Sequence, residues 1–143
     1  MKPSSKPEQL PVAIFHAYKS AFRKLINANE RGLNASYAKS IDAIAKNENC
    51  SANLLVKLLQ RDKAQIARVV KDLIAKGWVT KTPSAHDKRL QILTLTESGL
   101  AIAADIAQAK QTLAAAITGN HSKEELATFE KVSQQMIDNL EQL

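Results

Sequence analysis

Residues 62–96 read DKAQIARVVKDLIAKGWVTKTPSAHDKRLQILTLT, and this stretch decides the fold. From Lys63 to Lys76 the apolar residues Ile66, Val69, Val70, Leu73 and Ile74 recur at helical spacing, which predicts a helix with that face buried. The opposite face carries Ala64, Gln65, Ala67, Arg68, Lys71, Asp72 and Ala75. Short side chains let a backbone come close to the floor of a DNA major groove, and the amide of Gln65 and guanidinium of Arg68 match adenine and guanine edges. Gly77 offers a C-cap, and Trp78, Val79 and Thr80 begin a β-rich segment. Residues 83–89 read as a loop and residues 90–95 as a returning strand, Gln91, Leu93 and Leu95 alternating with Leu90, Ile92 and Thr94. The hairpin so formed holds His86, Asp87, Lys88 and Arg89 at its tip. An arginine on a narrow arm suits a minor groove, where negative potential is strongest. Asp87 is expected to hold the Arg89 guanidinium by a charge-assisted hydrogen bond, and His86 to touch DNA as part of the wing. Lys63, Lys71, Lys81 and Lys88 are expected to meet mainly phosphates.

Four pieces then stand in a fixed order: Asp62-Lys63 opening the helix, Leu73-Ile74-Ala75-Lys76-Gly77-Trp78-Val79 closing it, Asp87-Lys88-Arg89 in the hairpin and Leu95-Thr96-Glu97-Ser98-Gly99 after it. In that order and spacing they resemble the MarR family of winged helix-turn-helix regulators. The likeness runs from about Leu10 to the C-terminus, with its specific motifs inside residues 62–99. It implies a homodimer on an inverted repeat of double-stranded DNA, with Gln65 and Arg68 in the recognition helix and Asp87 and Arg89 in the wing.

Charge distribution points the same way. Residues 1–95 hold 17 Lys and Arg against 7 Asp and Glu, a net +10, whereas residues 96–143 hold 3 against 7, a net −4. Between Lys57 and Arg89 nine basic residues (Lys57, Arg61, Lys63, Arg68, Lys71, Lys76, Lys81, Lys88 and Arg89) face three acidic ones. That concentration is the footprint of phosphate binding. A single cysteine excludes an intrachain disulfide, no apolar run reaches a membrane span, and the N-terminus is unlike a signal peptide, so a cytoplasmic protein is expected.

Outward from the centre, residues 1–9 are polar and proline-rich and are expected to form a mobile tail. Residues 10–32 read as one long helix, with Ile14, Phe15, Tyr18, Phe22, Leu25 and Ile26 apolar, ending at Gly32. Three of the chain's six aromatic residues lie there, which suggests a dimer interface. Residues 33–95 form the expected winged helix-turn-helix domain: Asn34 caps a helix to about Lys46, a short helix runs from Ser51 or Ala52 to Leu59, and a three-residue corner leads into the central helix. Residues 96–143 read as a long alanine-rich helix and a last helix opened by a Ser122–Glu125 capping box, with a seam of Leu126, Phe129, Val132, Met136, Leu140 and Leu143. Amphipathic helices at both ends, lacking a partner within the chain, predict a twofold dimer held by residues that include Phe15, Phe22, Phe129, Met136 and Leu140. The expected class is therefore mainly α with a small β-hairpin wing, flanked by N- and C-terminal dimerisation helices.

Other chemistry finds little footing. His16, His86 and His121 have no ligand-spaced neighbours, so no metal is expected, and no cofactor motif or nucleophile elbow is present. The four glycines, at residues 32, 77, 99 and 119, read as helix punctuation. Cys50 lies ahead of the short helix, away from where oxidant-sensing relatives carry their thiol, and reads as a small, partly buried residue, with an oxidant-sensing thiol activated by the helix N-terminus as the alternative. The family likeness implies a cleft for a small aromatic or phenolic effector, for which Tyr18, Phe22, Arg23 and Tyr37 are the candidates. The expectation is a homodimeric repressor and not an enzyme; a nonspecific architectural DNA-binding protein or an adaptor on the same fold is the alternative.

Overall fold

The structure is a computed structural model that describes residues 6–143. Residues 1–5 of the expected tail lie outside the described residues. The other end of that tail is ordered, for Pro7–Gln9 form a 3-10 turn that runs into helix α1, Leu10–Leu25. Pro7 supplies the fixed φ that favours a first helical turn. The long first helix expected to reach Arg31 is broken. Asn27 takes a left-handed conformation (φ 55°), and α2 restarts at Ala28–Arg31. The break lets Ile26 and Ala28, 2% and 1% exposed, enter the core, which a straight helix would have carried past it.

Helix α3 (Ala35–Lys46) is capped by Asn34, whose side chain accepts the Tyr37 N–H at 2.8 Å. Helix α4 (Ala52–Leu59) is capped by Ser51, and α5 (Lys63–Ala75) by Asp62 through the Gln65 N–H at 2.8 Å. Between α4 and α5, Gln60 turns the chain in a left-handed conformation. Strands β1 (Val79–Pro83) and β2 (Gln91–Leu95) pair antiparallel, Val79 opposite Leu95 and Pro83 opposite Gln91. Pro83 thus closes a strand rather than opening the loop, and Leu90, 44% exposed, stands outside β2.

Helix α6 (Glu97–Thr118) and helix α7 (Lys123–Glu141) complete the chain. The chain divides into two compact units, residues 1–110 and 111–143. In the first, Ile41, Leu55, Ile66, Leu73, Val79 and Leu93 form the centre of one apolar core, to which the first turns of α6 add Ile102, Ile106 and Ala109. The base of the wing is tied in by the Leu93 N–H donated to the Cys50 carbonyl at 2.7 Å. Gly99, expected only as punctuation, has a stricter role. A Cβ there would lie 2.0 Å from the Trp78 carbonyl oxygen, so only glycine lets α6 start against the backbone that leads into β1. Thr96 joins the same corner, donating its hydroxyl to the Gly77 carbonyl at 2.6 Å and accepting the Gly99 N–H at 3.1 Å.

In the second unit the Ser122–Glu125 capping box forms in both directions, each bond at 3.1 Å. The Ser122 backbone N–H holds the Glu125 carboxyl below the usual range. Helix α7 buries no residue, and its apolar side chains Phe129, Met136 and Leu140 are 57%, 38% and 68% exposed.

Candidate nucleic-acid interface

Helix α5 divides its sides sharply. Ile66, Val70 and Leu73 are buried, which fixes the rotation of the helix and turns Lys63, Ala64, Gln65, Ala67, Arg68 and Lys71 outward, all exposed. Gln65 and Arg68 make no side-chain hydrogen bond or ion pair among the described residues, so their donors are available to a ligand. Two positions differ from the helical-wheel expectation. Ile74, placed on the buried face, is 38% exposed, because it stands at the edge of the stripe whose centre is Ile66, Val70 and Leu73. Asp72, placed on the outer face, is half-buried and accepts the Tyr37 hydroxyl at 2.8 Å.

The C-terminus of α5 is closed by the Trp78 N–H on the Leu73 carbonyl at 3.0 Å and the Gly77 N–H on the Ile74 carbonyl at 3.0 Å, with Gly77 at φ 75°. This stop aims the chain directly into β1 and the wing. The wing ladder is extended by the Ser84 N–H on the Leu90 carbonyl at 2.8 Å, and its tip is tightened by the Leu90 N–H on the Asp87 carbonyl at 3.0 Å. Lys81, His86, Asp87, Lys88 and Arg89 are all exposed. Asp87 does not hold the Arg89 guanidinium: its carboxylate accepts the Arg89 backbone N–H at 3.0 Å. Over a span of two residues the backbone N–H is the nearer donor, as in an Asx-turn, so Asp87 shapes the tip and leaves the Arg89 side chain free to reach outward.

A depression of about 230 Å³ borders α5, lined among others by Ser36, Lys39, Arg61, Gln65 and Arg68. It brings two further cations, Lys39 from α3 and Arg61 from the corner before α5, beside the pair singled out from the sequence. Neither was selected there, because Lys39 lies on another helix and Arg61 counted only as background charge. Their juxtaposition is a tertiary fact.

A family profile described as MarR family matches residues 31–90, which contain α3 to the wing tip. Over those residues the chain is similar to MarR-family winged helices. The multiple antibiotic resistance protein MarR of Escherichia coli (strain K12) is 36% identical over 77 residues, 53% of this chain and 54% of that protein. The chain therefore spans about half the length of the curated relatives it matches. Among solved structures, wild-type MarR (apo form) from E. coli is 27% identical with a TM-score of 0.63, covering 87% of this chain and 94% of that one. A MepR–DNA complex from S. aureus has 17% identity and a TM-score of 0.73 over 93% of this chain and 98% of that one, a likeness of fold.

Within this MarR-type fold the four effector candidates have diverse surroundings. The Arg23 guanidinium donates to Asn29 Oδ1 at 2.5 Å and to the Leu33 carbonyl at 3.5 Å, tying α1 to the turn around α2. Phe22 is half-buried against the core, and Tyr37 is bonded to Asp72 and meets Trp78 edge-on at 6.4 Å between ring centroids. The hydrogen bond to Asp72, aided by burial, raises the Tyr37 pKa and keeps the phenol protonated as a donor. Tyr18 remains exposed, and none of the four lines the depression beside Arg68. Cys50 is 0% exposed and burial pushes its thiol pKa up, both unfavourable to a reactive thiolate. No cluster of metal-ligating side chains and no helix long and apolar enough to cross a membrane occurs among the described residues.

Proposed function

We propose that this chain is a sequence-specific regulator of transcription that binds an inverted repeat of double-stranded DNA as a homodimer and represses by occluding the promoter. The observation that carries this reading is the outer face of α5. Small residues alternate there with Gln65, Arg68 and Lys71, on a helix whose rotation is fixed by its buried side. Gln65 and Arg68 read base edges in the major groove, and Arg89 enters the minor groove from the wing. Lys63, Lys71, Lys81 and Lys88, with Lys39 and Arg61 from the neighbouring depression, take phosphates. The fold likeness to a MepR–DNA complex supports this placement.

Dimerisation is supported by the terminal helices. Neither α1 nor α7 buries a residue in the single chain, and Phe15 at 61% and Leu140 at 68% exposure are costly to leave in water. A twofold dimer that covers these faces also sets two recognition helices on successive half-sites. Release by a small aromatic or phenolic effector completes the proposal, with Tyr18 the candidate whose ring is free to meet one.

Selection of bound duplexes from a random pool at moderate salt, followed by sequencing, tests the reading. Enrichment of an inverted repeat with half-sites about one helical turn apart is expected. Retention without enrichment would make the chain an architectural protein, and no retention would point to an adaptor.

A further inference from the structure

Arg68 and Asp72 stand four residues apart on α5, a spacing at which opposite charges on a helix surface can meet. No ion pair joins them among the described residues. Asp72 Oδ2 instead accepts the Tyr37 hydroxyl, 2.8 Å away on α3. Lys76, the other cation four residues from Asp72, is also turned aside: its ammonium lies 5.1 Å from the centroid of the Trp78 ring and 5.9 Å from that of Tyr37. Asp72 thus has two cations within helical reach and pairs with neither. Its one side-chain hydrogen bond comes from a neutral hydroxyl on a different helix.

We propose that Tyr37 is a positioning residue for base readout: its hydroxyl draws Asp72 toward α3 and leaves the Arg68 guanidinium without an acceptor on its own helix. This rests on the DNA-reading role proposed above. An arginine paired to its own helix must break that pair before it can fork onto a guanine, and a carboxylate released to the outer face would also repel phosphates. Because an exposed helical ion pair is weak, the effect is modest, about twofold per half-site and about fourfold for a dimer on two half-sites.

Tyr37→Phe removes the hydroxyl and keeps the ring against Trp78 and Lys76. Two readouts on the full chain separate this inference from the function beneath it. In the free protein, the Arg68 Nε–H resonance should be mobile and rapidly exchanging in the wild type and in Asp72→Asn, and ordered in Tyr37→Phe. On the duplex selected above, Tyr37→Phe should bind about fourfold more weakly, and the double variant Tyr37→Phe/Asp72→Asn should recover the affinity of Asp72→Asn. Affinity for a scrambled duplex should change less than affinity for the selected one. An Arg68 resonance unchanged by Tyr37→Phe, or a double variant as weak as Tyr37→Phe alone, would overturn the inference. If the wild type fails to discriminate the two duplexes, the DNA-reading role falls and this one with it, even where the resonance behaves as expected.

Discussion

Helices α5 and α7 have the same pattern and opposite fates. Each repeats apolar residues at helical spacing, yet in α5 Ile66 and Leu73 are 2% and 0% exposed, whereas in α7 Phe129 and Leu140 are 57% and 68% exposed. Periodicity tells which side of a helix is apolar, and the packed chain tells whether anything within it covers that side. For α5 the apolar side is satisfied within the chain and the polar side is left to act. For α7 the apolar side is what remains to act, and in the proposed dimer a second copy covers it.

The largest effect should come from the sealed side. Leu73→Ala should cost about 2 to 5 kcal/mol in a urea melt, because the cavity opens at the centre of the core. The matching truncation Leu140→Ala should leave the stability of an isolated protomer within about 0.5 kcal/mol. Equal costs in the two helices would erase the distinction between them. A charge on α7 probes the open side. Leu140→Glu should halve the mass seen by sedimentation equilibrium while leaving the helical circular dichroism intact, and an unchanged mass would remove α7 from the interface.

The fold was legible wherever local chemistry decided it. Asn34, Ser51, Asp62 and Ser122 cap helices through their own side chains, and Gly77 closes α5, so those boundaries follow from residue type alone. The misreadings share one cause. The kink at Asn27, the burial of Asp72 against Tyr37, the exposure of Ile74 and the strict need for Gly99 all depend on what another element presents, and periodicity along one helix carries no such information. Asp87 was misread differently: the charged partner was assumed, and the nearer backbone donor won. Of the candidate interface, residue types on α5 and the wing were readable, while the place of Lys39 and Arg61 beside Gln65 and Arg68 came into view only once α3 and the α4–α5 corner were packed against α5.

A smaller effect sharpens the contrast from the acid side. Burial pushes the Asp42 pKa up, but hydrogen bonds from Lys110 at 2.6 Å and Lys46 at 3.0 Å outweigh it, so the folded value lies below the ordinary one. Asp42 therefore contributes stability above its unfolded pKa of about 4, and loses it as pH falls through the lower folded value. Urea melts between pH 7 and 3 should show a shallower acid decline for Asp42→Asn than for the wild type. Identical profiles would mean the Lys110–Asp42–Lys46 bridge adds nothing to the core it borders. Smallest of all, Lys71→Ala should weaken every duplex alike and reduce the salt slope of binding by about one.

The claim that the outer face of α5 reads sequence is tested most directly by Arg68→Ala. Its affinity should be measured on the selected repeat and on duplexes altered one base pair at a time. The variant should lose about 1 to 3 kcal/mol on the selected repeat and become indifferent to one base pair in each half-site while discriminating at the rest. A loss of the same size on every duplex would contradict it, and would make Arg68 one more phosphate contact.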